Sequence, residues 1–91
     1  MITDNELLKT ILQNICYTEL VYGRINKKLG INFSKAQIEA MIITAIDPAG
    51  SNCLLKKGKN YYISCPNLGM RITVNSYNYR VITVDKLNSK P

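Results

Sequence analysis

Apolar residues recur at three- and four-residue spacing in three segments of the first half of the chain, which is the period of an amphipathic helix. Thr3 with Glu6, and Ser34 with Gln37, have the capping-box spacing, in which each side chain satisfies a free backbone donor at a helix start. The pattern predicts three helical segments, the first two of which could be continuous. Their apolar stripes are Leu7, Leu8, Ile11, Leu12, Ile15 and Cys16, then Leu20, Val21, Ile25 and Leu29, then Ile38, Met41, Ile42, Ala45 and Ile46.

The ends of these helices are marked by glycine and proline. The second helix, over 18–29, is predicted to close at Gly30, because glycine readily adopts the left-handed conformation just past a helix end. Between the first two helices Thr18 can cap a new start, so we expect a bend or a short break there. The third helix ends at Asp47, because the residue before a proline is forced out of the helical conformation.

The second half of the chain changes to short segments rich in β-branched and aromatic residues, separated by turns at Gly58 and at 66–69. Short connections favour antiparallel neighbours. We therefore predict one α+β domain over 1–91, with two or three N-terminal helices on one face of a three- or four-stranded antiparallel sheet. Its parts are a helical part over 3–47, a linker over 48–52, a β-meander over 53–86 with strands at 53–57, 60–65, 70–74 and 79–85, and a loose tail over 87–91.

The last hairpin offers a candidate binding face. If Ser76 and Tyr77 are its two loop residues, Asn75 pairs with Asn78, Thr73 with Arg80 and Arg71 with Ile82. Met70, Ile72 and Val74 would then face the helices together with Tyr79, Val81 and Thr83. The opposite face would carry Arg71, Thr73, Asn75, Asn78 and Arg80, with Tyr77 at the tip.

Two guanidinium groups beside amides and a hydroxyl provide forked donors suited to phosphate or carboxylate. Tyr77, with Tyr61 or Tyr62 on the neighbouring strand, would add a stacking surface for bases. The alternative is a solvated face on which arginine and threonine only pair across strands. A one-residue shift in register would scatter this set over both faces.

The net charge of the chain also indicates the kind of partner it would bind. The chain carries a net charge of +6 and has a pI near 9.4, which favours polyanions or acidic proteins as partners. A secondary basic patch is predicted from Arg24, Lys27, Lys28, Lys56, Lys57 and Lys59. Residues with A- and T-rich codons, chiefly Ile, Asn, Lys and Tyr, are abundant, so part of the lysine excess also fits the base composition of the gene.

Several classes of protein are disfavoured. Histidine is absent, no pair of acidic residues has a spacing typical of general acid–base catalysis, and the sequence has no metal-ligand cluster or cofactor motif. The start of the chain lacks the features of a secretory signal, and no apolar run reaches the about 20 residues of a membrane span, so we expect a cytoplasmic protein without membrane contact. The odd number of cysteines, Cys16, Cys53 and Cys65, indicates buried free thiols.

Residues 22–46 weakly resemble a helix-turn-helix, with the later strands as a wing. The would-be recognition helix exposes mainly Lys35, Gln37, Glu39 and Thr44, with one charge of each sign, which suits a phosphate-lined groove poorly. We therefore expect this helix to pack in the core, with a winged-helix arrangement as the alternative.

Two longer stretches, NICYTELVY with RINKKL over 14–29 and ITVNSYNYRVITVDK over 72–86, resemble a family of short uncharacterised bacterial proteins. That family is a domain of unknown function found mainly in Gram-positive species with AT-rich genomes. The resemblance implies a stand-alone cytosolic domain and carries no activity, cofactor or site residue.

The sequence thus favours a small basic binding module over an enzyme, contacting nucleic acid or a nucleoprotein through a basic sheet face. The alternative is an inhibitor or adaptor that binds an acidic protein, such as a phage-type inhibitor of a host defence complex. A metal-independent ribonuclease using Arg71, Arg80 and a tyrosine is a third hypothesis. An exposed edge strand would also allow homodimerisation.

Overall fold

A computed structural model describes residues 3–50 and 52–87 as three helices followed by a four-stranded antiparallel meander in the order β1-β2-β3-β4. The predicted α+β arrangement is confirmed. Three of the four strand starts fall where the sequence placed them, and β4 begins two residues later. The elements are α1 (Asp4–Asn14), α2 (Glu19–Leu29), α3 (Lys35–Ile46), β1 (Cys53–Lys57), β2 (Asn60–Cys65), β3 (Met70–Asn75) and β4 (Val81–Lys86), with a short 3₁₀ helix at Pro66–Leu68.

The helix ends follow the local chemistry of the sequence. Thr3 and Ser34 form complete capping boxes. Gly30, with φ of 67°, closes α2 in the left-handed conformation, and α3 ends before Asp47 as expected. The break between the first two helices is confirmed, but it comes early: α1 stops at Asn14, so the end of its predicted apolar stripe lies outside the helix.

The core lies between the helices and one face of the sheet. Across the strands, Ile63 pairs with Ile72, which pairs with Val84, and all three are fully buried. They meet buried residues from each helix, including Ile11, Ile25, Ile38, Ile42 and Ile46. The prediction that α3 packs in the core is confirmed.

The predicted register of the β3–β4 hairpin is wrong. Arg71 pairs with Asp85, and Thr73 pairs with Thr83. The loop spans 76–79, which is longer than two residues and shifts the pairing, and an irregularity in β4 shifts it by one residue more. Between the Thr73–Thr83 and Val74–Val81 pairs, β4 contains one extra residue, Ile82, which forms a bulge. This bulge turns Val81 and Val84 to the same side, although they are three residues apart, and both are buried.

The two outer strands have different surroundings. The N–H of Cys16 donates to the carbonyl of Tyr79, and the N–H of Val81 donates to the carbonyl of Cys16, so the segment between α1 and α2 covers the start of β4. On the other side, β1 pairs with β2 alone, and four of its five residues are exposed. Within the described part of the chain, β1 is therefore the uncovered edge of the sheet.

The end of the chain differs in part from the predicted loose tail. Leu87 is half-buried, and its N–H donates to the Gly69 carbonyl, so this residue is not loose. The remaining predicted tail, 88–91, and Ser51 of the linker lie outside the described residues.

All three cysteines are free, but only Cys65 is buried, and burial raises the pKa of its thiol. The prediction of buried thiols is therefore wrong for Cys16 and Cys53.

Candidate functional site

The candidate site is the face of the sheet that points away from the core, here called the open face. Side chains alternate along each strand, so the strand register arranges this face in rows. One row runs through Leu55, Tyr62, Thr73 and Thr83, and the next through Cys53, Ser64, Arg71 and Asp85. The open face consists of these eight residues together with Lys57, Asn60 and Asn75.

Tyr62 and Arg71 form the centre of the open face. The guanidinium carbon of Arg71 lies 5.7 Å from the centroid of the Tyr62 ring, within the range of a cation–π contact. Tyr62 is half-buried and Arg71 is exposed. A concave region beside them, with a cavity volume of about 560 Å³, is also lined by Lys57 and Leu55. The centre thus combines an aromatic ring, a guanidinium group and an adjacent lysine.

Helix α2 borders the open face along β4. Arg24, Lys27 and Lys28 share one side of this helix, because residues three and four apart are neighbours on a helix surface. Together with Thr83 they line a groove with a cavity volume of about 570 Å³. Helix α2 therefore adds a basic border to a face whose own strands provide Lys57 and Arg71.

Acidic residues are scarce in the part of the chain that forms the sheet. Asp85 is the one acidic residue in 52–87, against six basic residues, whereas 3–50 contains five of each. The Asp85 carboxylate accepts a hydrogen bond from Lys28 at 3.0 Å and forms an ion pair with it. The positive charge of the described chain is therefore concentrated in the sheet half.

The hairpin residues predicted as a site are only partly brought together. Arg71 and Thr73 lie on the open face, with Thr73 buried beneath its neighbours. Arg80 precedes β4, five residues from the partner of Arg71, a separation of about 17 Å along an extended strand. It lines a small pocket beside the start of α2. The predicted pairing of two guanidinium groups on one patch is therefore wrong.

The asparagines of the hairpin serve the turn. Asn75 Oδ1 accepts from the N–H groups of Tyr77 and Asn78 at 2.8 and 3.1 Å, and Asn78 Oδ1 accepts from the N–H of Arg80 at 3.0 Å. Tyr77 is 75% exposed at the tip. Because their side-chain oxygens are occupied, these amides stabilise the loop and offer little acceptor capacity to a ligand.

The secondary basic patch divides into separate places. Lys57 points to the open face, whereas Lys56 lies on the alternate side of β1 and donates to the carbonyl of Gly58 at 3.1 Å. Lys59 is exposed in the β1–β2 turn. The helical members, Arg24, Lys27 and Lys28, stay together beside β4.

Tyr62 and Thr83 are two residues of the open face whose positions the sequence does not predict correctly. The sequence does not distinguish Tyr61 from Tyr62, but Tyr61 is buried in the core, where its ring stacks near that of Tyr79 with 6.5 Å between centroids. Thr83 was expected to face the helices, and the bulge places it on the open face. The polar residues flanking Val84 are the signal that could have indicated this orientation.

A second polar cluster lies on the helical side. The hydroxyl of Tyr22 donates to Glu39 at 2.6 Å, and this hydrogen bond raises the pKa of Tyr22 to about 12. Tyr17 stacks on Tyr22 at 5.6 Å, and its burial raises its pKa to about 12. Lys35 pairs with Glu19 at 2.6 Å. The Tyr22–Glu39 and Lys35–Glu19 contacts join α2 to α3, and they occupy both carboxylates and the lysine.

The architecture is thus a two-layer α+β domain with one covered sheet face and one open basic face. Within residues 3–50 and 52–87, no helix has the length and apolarity to cross a membrane, and no group of three or more acidic or cysteine side chains could hold a metal. The chain belongs to a family described as a protein of unknown function (DUF3781), whose family model matches residues 9–85. No curated protein and no solved structure matches the chain.

Proposed function

We propose that this protein is a non-enzymatic module that binds single-stranded nucleic acid on the open face. The observation that carries the proposal is the contact between Tyr62 and Arg71 at the centre of a sheet face with basic residues on both sides. Single strands are bound by aromatic rings that stack bases and by cations that follow the backbone. The open face combines both groups.

The shape of the face favours a single strand over a duplex. Tyr62 is anchored in the central strand β2, so its ring lies within a broad surface and is not carried on a protruding helix. A base in a duplex is already stacked on both sides, whereas an unpaired base can lie on this ring. Arg71 adds a planar cation that can stack on a base or donate to a phosphate.

The state of the carboxylates supports binding over catalysis. Asp85 is in an ion pair with Lys28, Glu19 pairs with Lys35, and Glu39 accepts from Tyr22. A general acid or base must reach the reacting group with a carboxyl free to exchange a proton. On the open face, Asp85 is the sole carboxylate of the described residues, and it is held by a lysine.

The test is fluorescence anisotropy of labelled single-stranded RNA and duplex DNA. We expect Arg71→Ala and Tyr62→Ala each to weaken single-strand binding about tenfold, within the range of one stacked base. Tyr62→Phe should retain most of the affinity, because stacking needs the ring and not the hydroxyl. Lys9→Ala, which removes one exposed charge from α1, is the matched control.

The outcomes separate the hypotheses. Loss of single-strand binding in the Arg71 and Tyr62 variants, with Lys9→Ala unchanged, would support the proposal. Absence of binding to either nucleic acid at low salt would refute it and would turn attention to an acidic protein partner. Cleavage of the labelled RNA without added metal, lost in Arg71→Ala, would instead indicate a nuclease.

A further inference from the structure

The groove between α2 and β4 has the charge and position of an anion site. Its walls are Arg24, Lys27 and Lys28 on the helix, and its floor includes Thr83 of β4. Arg24 Nη1 lies 3.5 Å from the Ile82 carbonyl, at the outer limit of a hydrogen bond, so most of its guanidinium donors are available. Lys27 is exposed and has no ion-pair partner among the described residues.

The charge balance of the groove matches a dianion. Three cations and one carboxylate, Asp85, give a net charge of +2. A phosphate monoester carries a charge of about −1.5 to −2 at pH 7, whereas a phosphodiester within a strand carries only −1. In addition, the hydroxyl oxygen of Thr83 is buried without a hydrogen-bond partner in the described residues. A phosphate oxygen, reached by rotation of this side chain, would provide an acceptor.

The groove also lies where a nucleic-acid strand that crosses the open face would end. Thr83, Thr73 and Tyr62 are consecutive members of one row, so the groove lies two strand spacings, about 10 Å, from the aromatic centre. Beyond Thr83 the row meets α2, which closes the face on this side. A nucleic-acid strand that runs across the face from β1 towards β4 would therefore reach the three basic residues of α2.

We infer that the groove formed by Arg24, Lys27, Lys28 and Thr83 binds the terminal phosphate of a single-stranded nucleic acid lying on the open face. This inference rests on the proposed function. It adds that the protein selects strand ends bearing a phosphomonoester and that the α2 border holds this group while Tyr62 and Arg71 hold a nearby nucleotide.

The experiment compares three forms of one short RNA with an internal label: with a 5′-phosphate, with a 3′-phosphate, and with a hydroxyl at both ends. We expect one phosphorylated form to bind wild-type protein at least fivefold more tightly than the hydroxyl form. Lys27→Ala and Arg24→Ala should abolish this preference. Lys57→Ala, at the opposite side of the open face, should weaken all three forms by the same factor. Thermal unfolding of each variant confirms that it is folded.

A pH comparison tests the charge argument directly. The phosphomonoester loses its second negative charge below about pH 6, so the preference should shrink between pH 7.5 and pH 5. The charged groups facing the groove are Arg24, Lys27, Lys28 and Asp85, and the chain contains no histidine that would titrate in this range.

Equal affinity of wild-type protein for the three RNAs would overturn the inference. If that equal binding still depended on Tyr62 and Arg71, the proposed function would stand without the end preference. If none of the RNAs bound, both would fail. A preference that survived in Lys27→Ala and Arg24→Ala, or that Lys57→Ala also removed, would place the phosphate outside the groove and would equally refute the inference.

Discussion

Replacing Asp85 with asparagine should strengthen nucleic-acid binding. Asp85 is the single acidic residue of the open face, and its Oδ1 lies 3.0 Å from Lys28 Nζ. The side chains are 28% and 52% exposed, so the ion pair contributes at most about 1 kcal/mol to the free energy of unfolding. Asparagine keeps the size of the side chain and removes the charge. The variant should therefore remain folded and release Lys28 for a phosphate.

The magnitude follows from the number of cations on the face. Four basic residues that line the groove beside β4 or the concave region beside Tyr62 are outside ion pairs in the described structure: Arg24, Lys27, Lys57 and Arg71. If each neutralises one phosphate of a single strand, the slope of log K against log salt is about −2.8. Affinity then falls about 50-fold between 50 and 200 mM salt. With Lys28 freed in Asp85→Asn, the slope becomes about −3.5. The gain in affinity is up to about fivefold, because Lys28 no longer has to leave an ion pair of at most about 1 kcal/mol to bind a phosphate.

The assay is anisotropy of a labelled single strand at four salt concentrations, with Asp4→Asn as control. Asp4 is exposed in the first turn of α1, outside the open face, so its substitution makes the same change in net charge. If both substitutions change affinity equally, only the total charge matters. If Asp85→Asn binds no better than wild type while its melting temperature is unchanged, the assignment of the open face is wrong.

Three further predictions concern stability. Thr83→Val should raise the melting temperature, measured by circular dichroism, by about 5 °C, because a buried hydroxyl without a hydrogen-bond partner costs about 1 kcal/mol or more. An unchanged melting temperature would indicate that this hydroxyl is hydrogen-bonded. Tyr17 and Tyr22 have pKa values raised to about 12 in the folded state, so the folded state favours their neutral hydroxyls. The free energy of unfolding, measured with urea, should therefore hold below pH 10 and fall as pH rises towards 12. If this free energy fell equally steeply with pH in Tyr22→Phe, the prediction would be contradicted. Asn75→Ala should lower stability by about 1–2 kcal/mol in urea unfolding, since two turn N–H groups lose their acceptor, and a loss below about 0.3 kcal/mol would show that water replaces it.

Local rules account for the parts of the fold that the sequence predicted correctly. A capping box, a glycine after a helix and a proline after a helix act within a few residues, so Thr3, Ser34, Gly30 and Asp47 mark the ends of elements without help from the rest of the chain. The same holds for β1 and β2, whose short turn sets their pairing. These features can be predicted from the sequence, because each depends only on residues that are close together in the chain.

The candidate site was harder to predict, because it depends on register. The turn after Asn75 could be closed with two residues or four, and the choice depends on packing of Val81 and Val84 against the helices. The bulge at Ile82 satisfies both burials at once. The bulge also moves Thr83 to the open face, whereas the longer loop places Arg80 near Asn75 and away from Arg71. Two local features, the loop length and the bulge, therefore changed the composition of the patch.

The sequence alone determined the α+β layout, with a helical first half and a stranded second half, because periodicity, caps and turns are local properties. It also determined the charge imbalance that favours an anionic partner. Only the tertiary structure decided which charges act together. Arg24, Lys27 and Lys28 lie far in sequence from Tyr62 and Arg71, and they border one face because the burial of α2 against β4 places them there.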